Sequence, residues 1–328
     1  MGGITMTHKI AVVGTAFEDH HREKITNTAA AFGCEVAFYP SHMDAAPHLA
    51  DTTIVFGPSD VHSPKSVAAA PNLQWFASFY AGVDPLLAPG VLPEKVLLTN
   101  GSGAYGVTIA EHLLMVTLML LRRNPEYQQL VSQKGWRNDL KIRSVYGSTI
   151  VICGTGDIGS KYARRLRPFC PAKIIGVNRT GRAAEGFDEI VTIENLDSVL
   201  PLADVFVLTL PGTPLTNNLI TRERLALMQE SAFLINIGRG NCLDQDALVE
   251  ALNEGKLAGA ALDVFRQEPI SQEDPIWEAK NLIITPHCSG QMTLAYTRDT
   301  LVDMFCENLQ RFFADQPLLH TIDRALAY

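Results

Sequence analysis

Three apolar runs in the second half of the chain each end in polar groups able to do chemistry. AFLINIG (232–238) is followed by Arg239, LAGAAL (257–262) by Asp263 and Glu268, and NLIITP (281–286) by His287. Each run reads as a buried strand, and in an open parallel sheet ligands bind beyond the carboxyl ends of the strands. Polar groups exported from three such ends are expected to converge on one site. A guanidinium holds a carboxylate through two parallel hydrogen bonds, and glycines 238 and 240 are expected to keep the backbone beside Arg239 open to a ligand. Histidine titrates near neutral pH, which makes His287 the best acid–base candidate. A carboxylate such as Glu268 on its second ring nitrogen raises its pKa and fixes its tautomer. The set is one for acting on a carboxylate-bearing substrate.

A second chemical signal lies upstream. Gly154-x-Gly156-x-x-Gly159, with Asp157 and Ile158 inside it, follows the strand-like STIVIC and opens a helix. Such glycines permit a tight turn, close approach of a pyrophosphate and close helix–strand packing, with the helix N-terminus facing the anion. The next strand, KIIGVN, ends in Asn178-Arg179-Thr180, where an acid would bind a ribose 2′-hydroxyl. With that acid replaced and Arg179 (with Arg182) beside it, a 2′-phosphate is favoured, so NADP(H) is the expected cofactor, NAD(H) the alternative. In the first half, Phe79-Tyr80-Ala81-Gly82-Val83-Asp84 is a small-residue turn suited to an anion nest, which could hold a substrate carboxylate. Phe79 and Tyr80 are candidates to line the substrate pocket.

The elements that must position these groups are legible as alternation. KIAVVG, EVAFYP, TTIVFG and LQWFAS are strand candidates in the first hundred residues, with a helix carrying Ile25, Ala29 and Phe32 in the first gap. From residue 148 a second series alternates strands and helices, including DVFVLTL and a helix capped by Asp244 and closed by Gly255. Such alternation predicts parallel sheets covered by helices. Between the series, GVTIAEHLLMVTLMLLRR is more apolar than one buried face requires. With the following arm, 125–136, it is read as a subunit interface, the alternative being a core helix. A last helix, 292–313, is expected to return to the first domain.

Composition excludes several classes. A net charge of −8 without a basic stripe argues against nucleic-acid binding. The most apolar helix, 107–121, carries Glu111 and His112 and falls short of the about 20 residues needed to span a bilayer. The six cysteines lie far apart with no CxxC pair, the start lacks a secretory pattern, and position 6 after Gly2 is Met where a myristoylation start has Ser or Thr. A cytoplasmic protein with reduced thiols is expected. No His/Cys/Asp cluster shows metal-ligand spacing, so no metal is expected.

Taken together these segments resemble the D-isomer-specific 2-hydroxyacid dehydrogenase family, over nearly the whole chain. GTGDIGSKYARRL looks like its cofactor loop, TLPGTPLTNNLI like its second cofactor-side segment, and FASFYAGVD like its substrate loop. INIGRGNCLDQDALVEAL, ALDVFRQEP and TPHCSG carry what look like the family's arginine, glutamate and histidine at Arg239, Glu268 and His287. The resemblance implies an α/β fold of two doubly wound parallel-sheet domains, Rossmann-like and flavodoxin-like, with an inter-domain cleft. Residues 1–101 plus 291–328 would form the substrate-binding (catalytic) domain and 102–290 the dinucleotide-binding domain, with hinges near 101–105 and 289–292. It further places Asp263 near the nicotinamide amide and Leu210, Pro211 and Ile237 beside the cofactor, and implies a homodimer built on the long helix and arm.

The implied activity is NAD(P)H-dependent reduction of a small 2-oxo acid, of glyoxylate or hydroxypyruvate type, to the D-2-hydroxy acid. His287 would supply the proton, Arg239 would hold the carboxylate, and backbone donors of Ala81, Gly82 and Val83 would hold its other edge. An NAD-linked enzyme for another acid, such as D-lactate, is the alternative within enzymes. A dinucleotide-sensing, corepressor-like regulator is the alternative outside them, and the intact Arg239, Glu268 and His287 set weighs against it.

Overall fold

The computed structural model describes residues 8–326; the Gly2 start lies outside them. The chain divides into two compact units, one running up to Tyr105 and resuming at Met292, the other Gly106–Gln291. Each is built on one sheet whose strands are all parallel, as the alternation of apolar runs and helices predicts.

In the first unit the strands are β1 (Lys9–Val13), β2 (Glu35–Tyr39), β3 (Ile54–Gly57), β4 (Trp75–Ser78) and β5 (Leu97–Thr99), in the order β2-β1-β3-β4-β5. This is the flavodoxin-like order, whose switch point lies between β1 and β3. β5 was not anticipated, because LLT is too short to stand out from its surroundings. The C-terminal helix Ala295–Phe313 packs on this unit, where Phe305 stacks on Phe56 at 4.1 Å and on Trp75 at 5.3 Å. It begins after the expected residue 292, and the Arg298 guanidinium holds the carbonyls of Met292 and Thr293 in the approach. Helix Asp19–Ala30 buries Ile25 and Ala29 as expected. Phe32 lies beyond its end, exposed and stacked on Phe313, so it is not part of the helix's buried face.

The second unit holds β6 (Thr149–Cys153), β7 (Lys173–Asn178), β8 (Glu189–Thr192), β9 (Val205–Leu208), β10 (Phe233–Asn236), β11 (Gly259–Leu262) and β12 (Leu282–Ile284). Their order is β12-β11-β10-β9-β6-β7-β8, a Rossmann arrangement extended by one strand, with its switch point between β6 and β9. β8 is an edge strand with no fully buried residue, which is why its apolar pattern is faint in the sequence. The centre is buried: β6, β9 and β10 are buried along almost their whole length, and Phe206 and Phe233 are among the largest fully buried side chains. Helix Gln245–Asn253 is delimited as expected, the Asp244 carboxylate accepting from Ala247 N–H and Gly255 taking a left-handed φ of +73°. Among the described residues no helix is long and apolar enough to cross a membrane.

Candidate functional site

Beyond the carboxyl end of β6, the three loop glycines have three different physical reasons. Gly154 has φ +112°, and a Cβ there would lie 2.3 Å from Thr209 Oγ1. A Cβ on Gly159 would lie 2.0 Å from the Gly154 carbonyl oxygen, so this glycine lets helix Asp157–Leu166 close on the strand. Gly156 has open space where its Cβ would be and is exposed. That is the cradle a dinucleotide pyrophosphate fits, with backbone free to approach it at the helix start. Asp157 has a structural role, its carboxylate pairing with Lys161 at 2.8 Å and lying where a Cβ on Gly106 would collide with it. Ile158 is half-buried in the first turn.

The loop after β7 is shaped by Asn178. Its Nδ2 donates to Thr155 Oγ1 and the Arg182 carbonyl, and its Oδ1 accepts from the N–H groups of Thr180 and Gly181. Two donors and two acceptor sites are thereby used, so the amide organises the loop rather than reaching a ligand. An aspartate here would lose both donated bonds. Arg179, Thr180 and Arg182 are exposed on the loop so formed.

Arg239 is half-exposed in the turn after β10, its Nη1 donating to the Gly238 carbonyl. The turn is held by the fully buried Asn236, whose Nδ2 donates to the Arg239 carbonyl and whose Oδ1 accepts from Gly238 N–H. The flanking glycines correct the expectation drawn for them. A Cβ on Gly238 would sit 2.5 Å from the Leu210 carbonyl oxygen, and one on Gly240 would sit 1.9 Å from the Phe265 carbonyl carbon. They serve close packing of backbone on backbone, not openness to a ligand. Leu210 is thereby seated against the Arg239 turn, with Pro211 exposed and Ile237 buried beside it.

His287 and Glu268 meet directly: the ring Nδ1 and Oε2 are 2.6 Å apart. The other carboxylate oxygen, Oε1, accepts from Phe265 N–H at 2.9 Å, which fixes the acid to its own loop. The hydrogen bond to Glu268, aided by its charge, holds the His287 pKa above the ordinary imidazole value, against burial and the repulsion of nearby Arg239. Burial works to raise Glu268, but the bonds from His287 and Phe265 N–H outweigh it and keep the carboxyl below its usual range. Because Nδ1 is committed to Glu268, Nε2 is the ring atom left for a ligand. Asp263, buried to 1% exposure, lies under this turn and accepts from the N–H groups of Cys288 and Ser289. Its carboxylate is therefore engaged with the His287 turn, a contact that the expected role beside the nicotinamide did not include.

In the first unit the turn after β4 has every carbonyl from Tyr80 to Val83 tied back. Gly101 N–H and Ser78 Oγ donate to Tyr80, Asn100 Nδ2 to Ala81, Ser59 Oγ to Gly82, and Leu86 N–H to Val83. Among the described residues the N–H groups of Ala81, Gly82 and Val83 meet no acceptor within the protein. A run of unspent donors with its carbonyls bound elsewhere is an anion nest. Ser59, Ser78 and Asn100 were not singled out in the sequence, and nothing local marks them. Tyr80 is exposed, whereas Phe79 is buried at 2% against Phe17 and Phe56, so Phe79 belongs to the core and not to a pocket wall.

One grouping was invisible in the sequence spacing. His20, His21 and Asp299 bring possible metal-ligand atoms within 4.8 Å of one another. His21 Nδ1, however, accepts from Glu18 N–H, which places its proton on Nε2, 2.9 Å from Asp299 Oδ1. His21 is thus satisfied as part of a helix-capping arrangement, with the lone pair a metal would need already taken.

Comparison with known proteins shows the family to which the chain belongs. Residues 114–289 match the model of the D-isomer specific 2-hydroxyacid dehydrogenase NAD binding domain. The chain is 33% identical to a glyoxylate reductase of Korarchaeum cryptofilum over 251 residues, 74% of each chain. Among solved structures, a D-isomer specific 2-hydroxyacid dehydrogenase family protein of Aeromonas salmonicida superposes with a TM-score of 0.85 at 33% identity, covering 97% of this chain and 99% of that one. An NADPH-dependent glyoxylate/hydroxypyruvate reductase of Sinorhizobium meliloti, in complex with NADP and sulfate, gives 0.81 at 29% identity, with 98% and 100% covered. The chain belongs to the D-isomer specific 2-hydroxyacid dehydrogenase family and is an oxidoreductase of that family.

Proposed function

We propose that this enzyme reduces a small 2-oxo acid of the glyoxylate or hydroxypyruvate type to the D-2-hydroxy acid, with NADPH preferred to NADH. The observation that carries the reading is the His287–Glu268 pair at 2.6 Å beside Arg239, on the same sheet edge as the glycine cradle. Gly154, Gly156 and Gly159, with Leu210, Pro211 and Ile237, are the residues that would hold the dinucleotide. When bound, it supplies the hydride. His287 gives the proton from Nε2 to the developing alkoxide, and Glu268 keeps the ring charged and oriented for that transfer. Arg239 binds the substrate carboxylate and polarises the carbonyl oxygen, stabilising charge where it develops. In the first unit, the unspent N–H groups of Ala81, Gly82 and Val83 suit a carboxylate oxygen.

The names of similar proteins support the substrate class: glyoxylate reductase and glyoxylate/hydroxypyruvate reductase. The test is NADPH and NADH oxidation by purified protein with glyoxylate, hydroxypyruvate, pyruvate and a branched-chain oxo acid. Turnover highest with the first two supports the reading, and turnover confined to pyruvate would replace it with a D-lactate type of activity.

The cofactor preference rests on Arg179 and Arg182, exposed on the Asn178-shaped loop that lacks an acid. Replacing both by alanine lowers kcat/KM for NADPH by about 10- to 100-fold, the worth of charge-assisted hydrogen bonds to a phosphate, and leaves NADH nearly unchanged. Equal losses for both cofactors, or a tenfold NADH preference in the unaltered enzyme, would refute it.

The same reading includes a homodimer in a reducing, cytoplasmic setting. Helix Gly106–Leu121 keeps Met115 exposed with half-buried Leu114, Leu118 and Met119, and the segment after it exposes Val131, Trp136, Ile142 and Tyr146. So much uncovered apolar surface on one segment fits a second copy of the chain. Sedimentation equilibrium at micromolar concentration should give twice the chain mass, and a monomer would end this part of the reading. All six cysteines are free thiols, which suits the compartment.

A further inference from the structure

His287 sits in an unusual backbone conformation, and the structure shows what holds it there. Its φ is +49°, in the left-handed region that a residue with a Cβ occupies only when its surroundings impose it. Its N–H donates to the carbonyls of Asp263 and Thr285, and the next two N–H groups, of Cys288 and Ser289, donate to the Asp263 carboxylate. The turn that mounts the imidazole is therefore wrapped around one buried acid.

The orientation of that acid has its own support. Thr285 Oγ1 lies 2.6 Å from Asp263 Oδ1. The hydroxyl donates to this carboxylate, which also accepts from two N–H groups, so the threonine's single hydroxyl proton is spent on it. The remaining bond of Thr285, to His112 Nε2 at 3.4 Å, must then run from the ring N–H to the hydroxyl. Burial holds the His112 pKa below the ordinary value, against the opposing pull of Asp263, which suits a neutral ring with its proton on Nε2. The result is a directed chain, His112 to Thr285 to Asp263 to the 287–289 turn, spanning the long helix Gly106–Leu121, β12 and β11.

We propose that Thr285, backed by His112, is a positioning residue for His287: its hydroxyl sets the Asp263 carboxylate, and that carboxylate holds the turn on which the acid–base imidazole is mounted. This rests on the reading of His287 as the proton donor. The unaltered enzyme is compared with Thr285→Val, which keeps shape but removes the hydroxyl, and with Thr285→Ser, which restores it. Thr285→Val should lower kcat at saturating glyoxylate by about 10- to 100-fold, as loss of a hydrogen bond to a charged group implies, with KM and NADPH affinity changed by less than about threefold. In the ligand-free protein it should also weaken the downfield proton resonance of the short His287–Glu268 hydrogen bond. Thr285→Ser should recover both.

A valine variant with unchanged kcat and an intact resonance overturns the inference. So does one that loses NADPH affinity in step with kcat, or a serine variant that recovers neither. Should the valine variant not fold, His112→Gln tests the same chain from its other end, with the same pattern expected at smaller amplitude and no change in either readout overturning it. The resonance is read without turnover. A sound resonance effect in an enzyme where His287→Ala keeps full kcat would therefore condemn the catalytic reading and not the positioning.

Discussion

His287→Ala lowers kcat for oxo-acid reduction by about 10²- to 10⁴-fold, the usual worth of a positioned general acid, while NADPH affinity is retained. The expectation follows from the different roles of the two ring nitrogens, with Nδ1 held by Glu268 at 2.6 Å and Nε2 left as the atom able to give a proton. The pH dependence follows with a definite sign. Reduction needs the imidazolium, so kcat/KM for the oxo acid falls as pH rises through the His287 pKa of the free enzyme. That pKa is raised, first by the hydrogen bond to Glu268 and then by its charge. The alkaline limb of the unaltered enzyme therefore lies above that of an ordinary histidine. Glu268→Gln removes the charge and weakens the bond, so the limb moves to lower pH and activity at neutral pH drops. Oxidation of the hydroxy acid, which needs the neutral ring, shows the opposite limb. An unchanged kcat in His287→Ala, or a profile that does not move in Glu268→Gln, would remove the pair from the mechanism.

The parts of this site written into single segments were legible in the sequence. A strand, three spaced glycines and a helix within 148–167 carry their own physical reasons, and Arg239, Glu268 and His287 stand out because each interrupts or follows an apolar run. Parallel-sheet architecture followed from the same alternation. What escaped is the set of polar residues that bind backbone atoms far away in sequence. Asn236 hides as the last residue of a buried strand, and Ser59, Ser78 and Asn100 converge on one turn from three strand ends. Thr285 and His112 are 173 residues apart, so no local pattern joins them. Glycines mislead in a related way. Those beside Arg239 look like loop flexibility, yet each is required by the backbone of a different strand's loop passing within van der Waals distance. The edge strands β5 and β8 were missed because a short strand, or one with little buried on either face, leaves too weak a periodic signal.

Arg239→Ala raises KM for the oxo acid and lowers kcat together, for a combined loss in kcat/KM of about 10³-fold or more, as expected of a group that both binds a carboxylate and stabilises developing charge. Arg239→Lys separates the two contributions. Lysine keeps the positive charge but lacks the planar fork, so a bidentate carboxylate contact is lost even where the charge survives. Its kcat/KM should fall between those of the alanine variant and the unaltered enzyme, with the larger part of its loss in KM. The surrounding structure predicts that these changes stay local. Besides the bond from the guanidinium to the Gly238 carbonyl, the turn is held through backbone atoms, by Asn236 on the Arg239 carbonyl and Gly238 N–H and by the two glycines packed on Leu210 and Phe265, and these anchors remain in the variant. The melting temperature of Arg239→Ala should accordingly stay close to that of the unaltered enzyme, and NADPH should still bind. Removing Arg239 has one further consequence at His287. Its positive charge now opposes the imidazolium, so the His287 pKa rises in the variant and the alkaline limb of reduction moves to higher pH. Residual activity in Arg239→Ala should therefore decline at a higher pH than in the unaltered enzyme. Loss of NADPH binding with the oxo-acid KM unchanged would instead make Arg239 a cofactor ligand, and would end its assignment to the substrate.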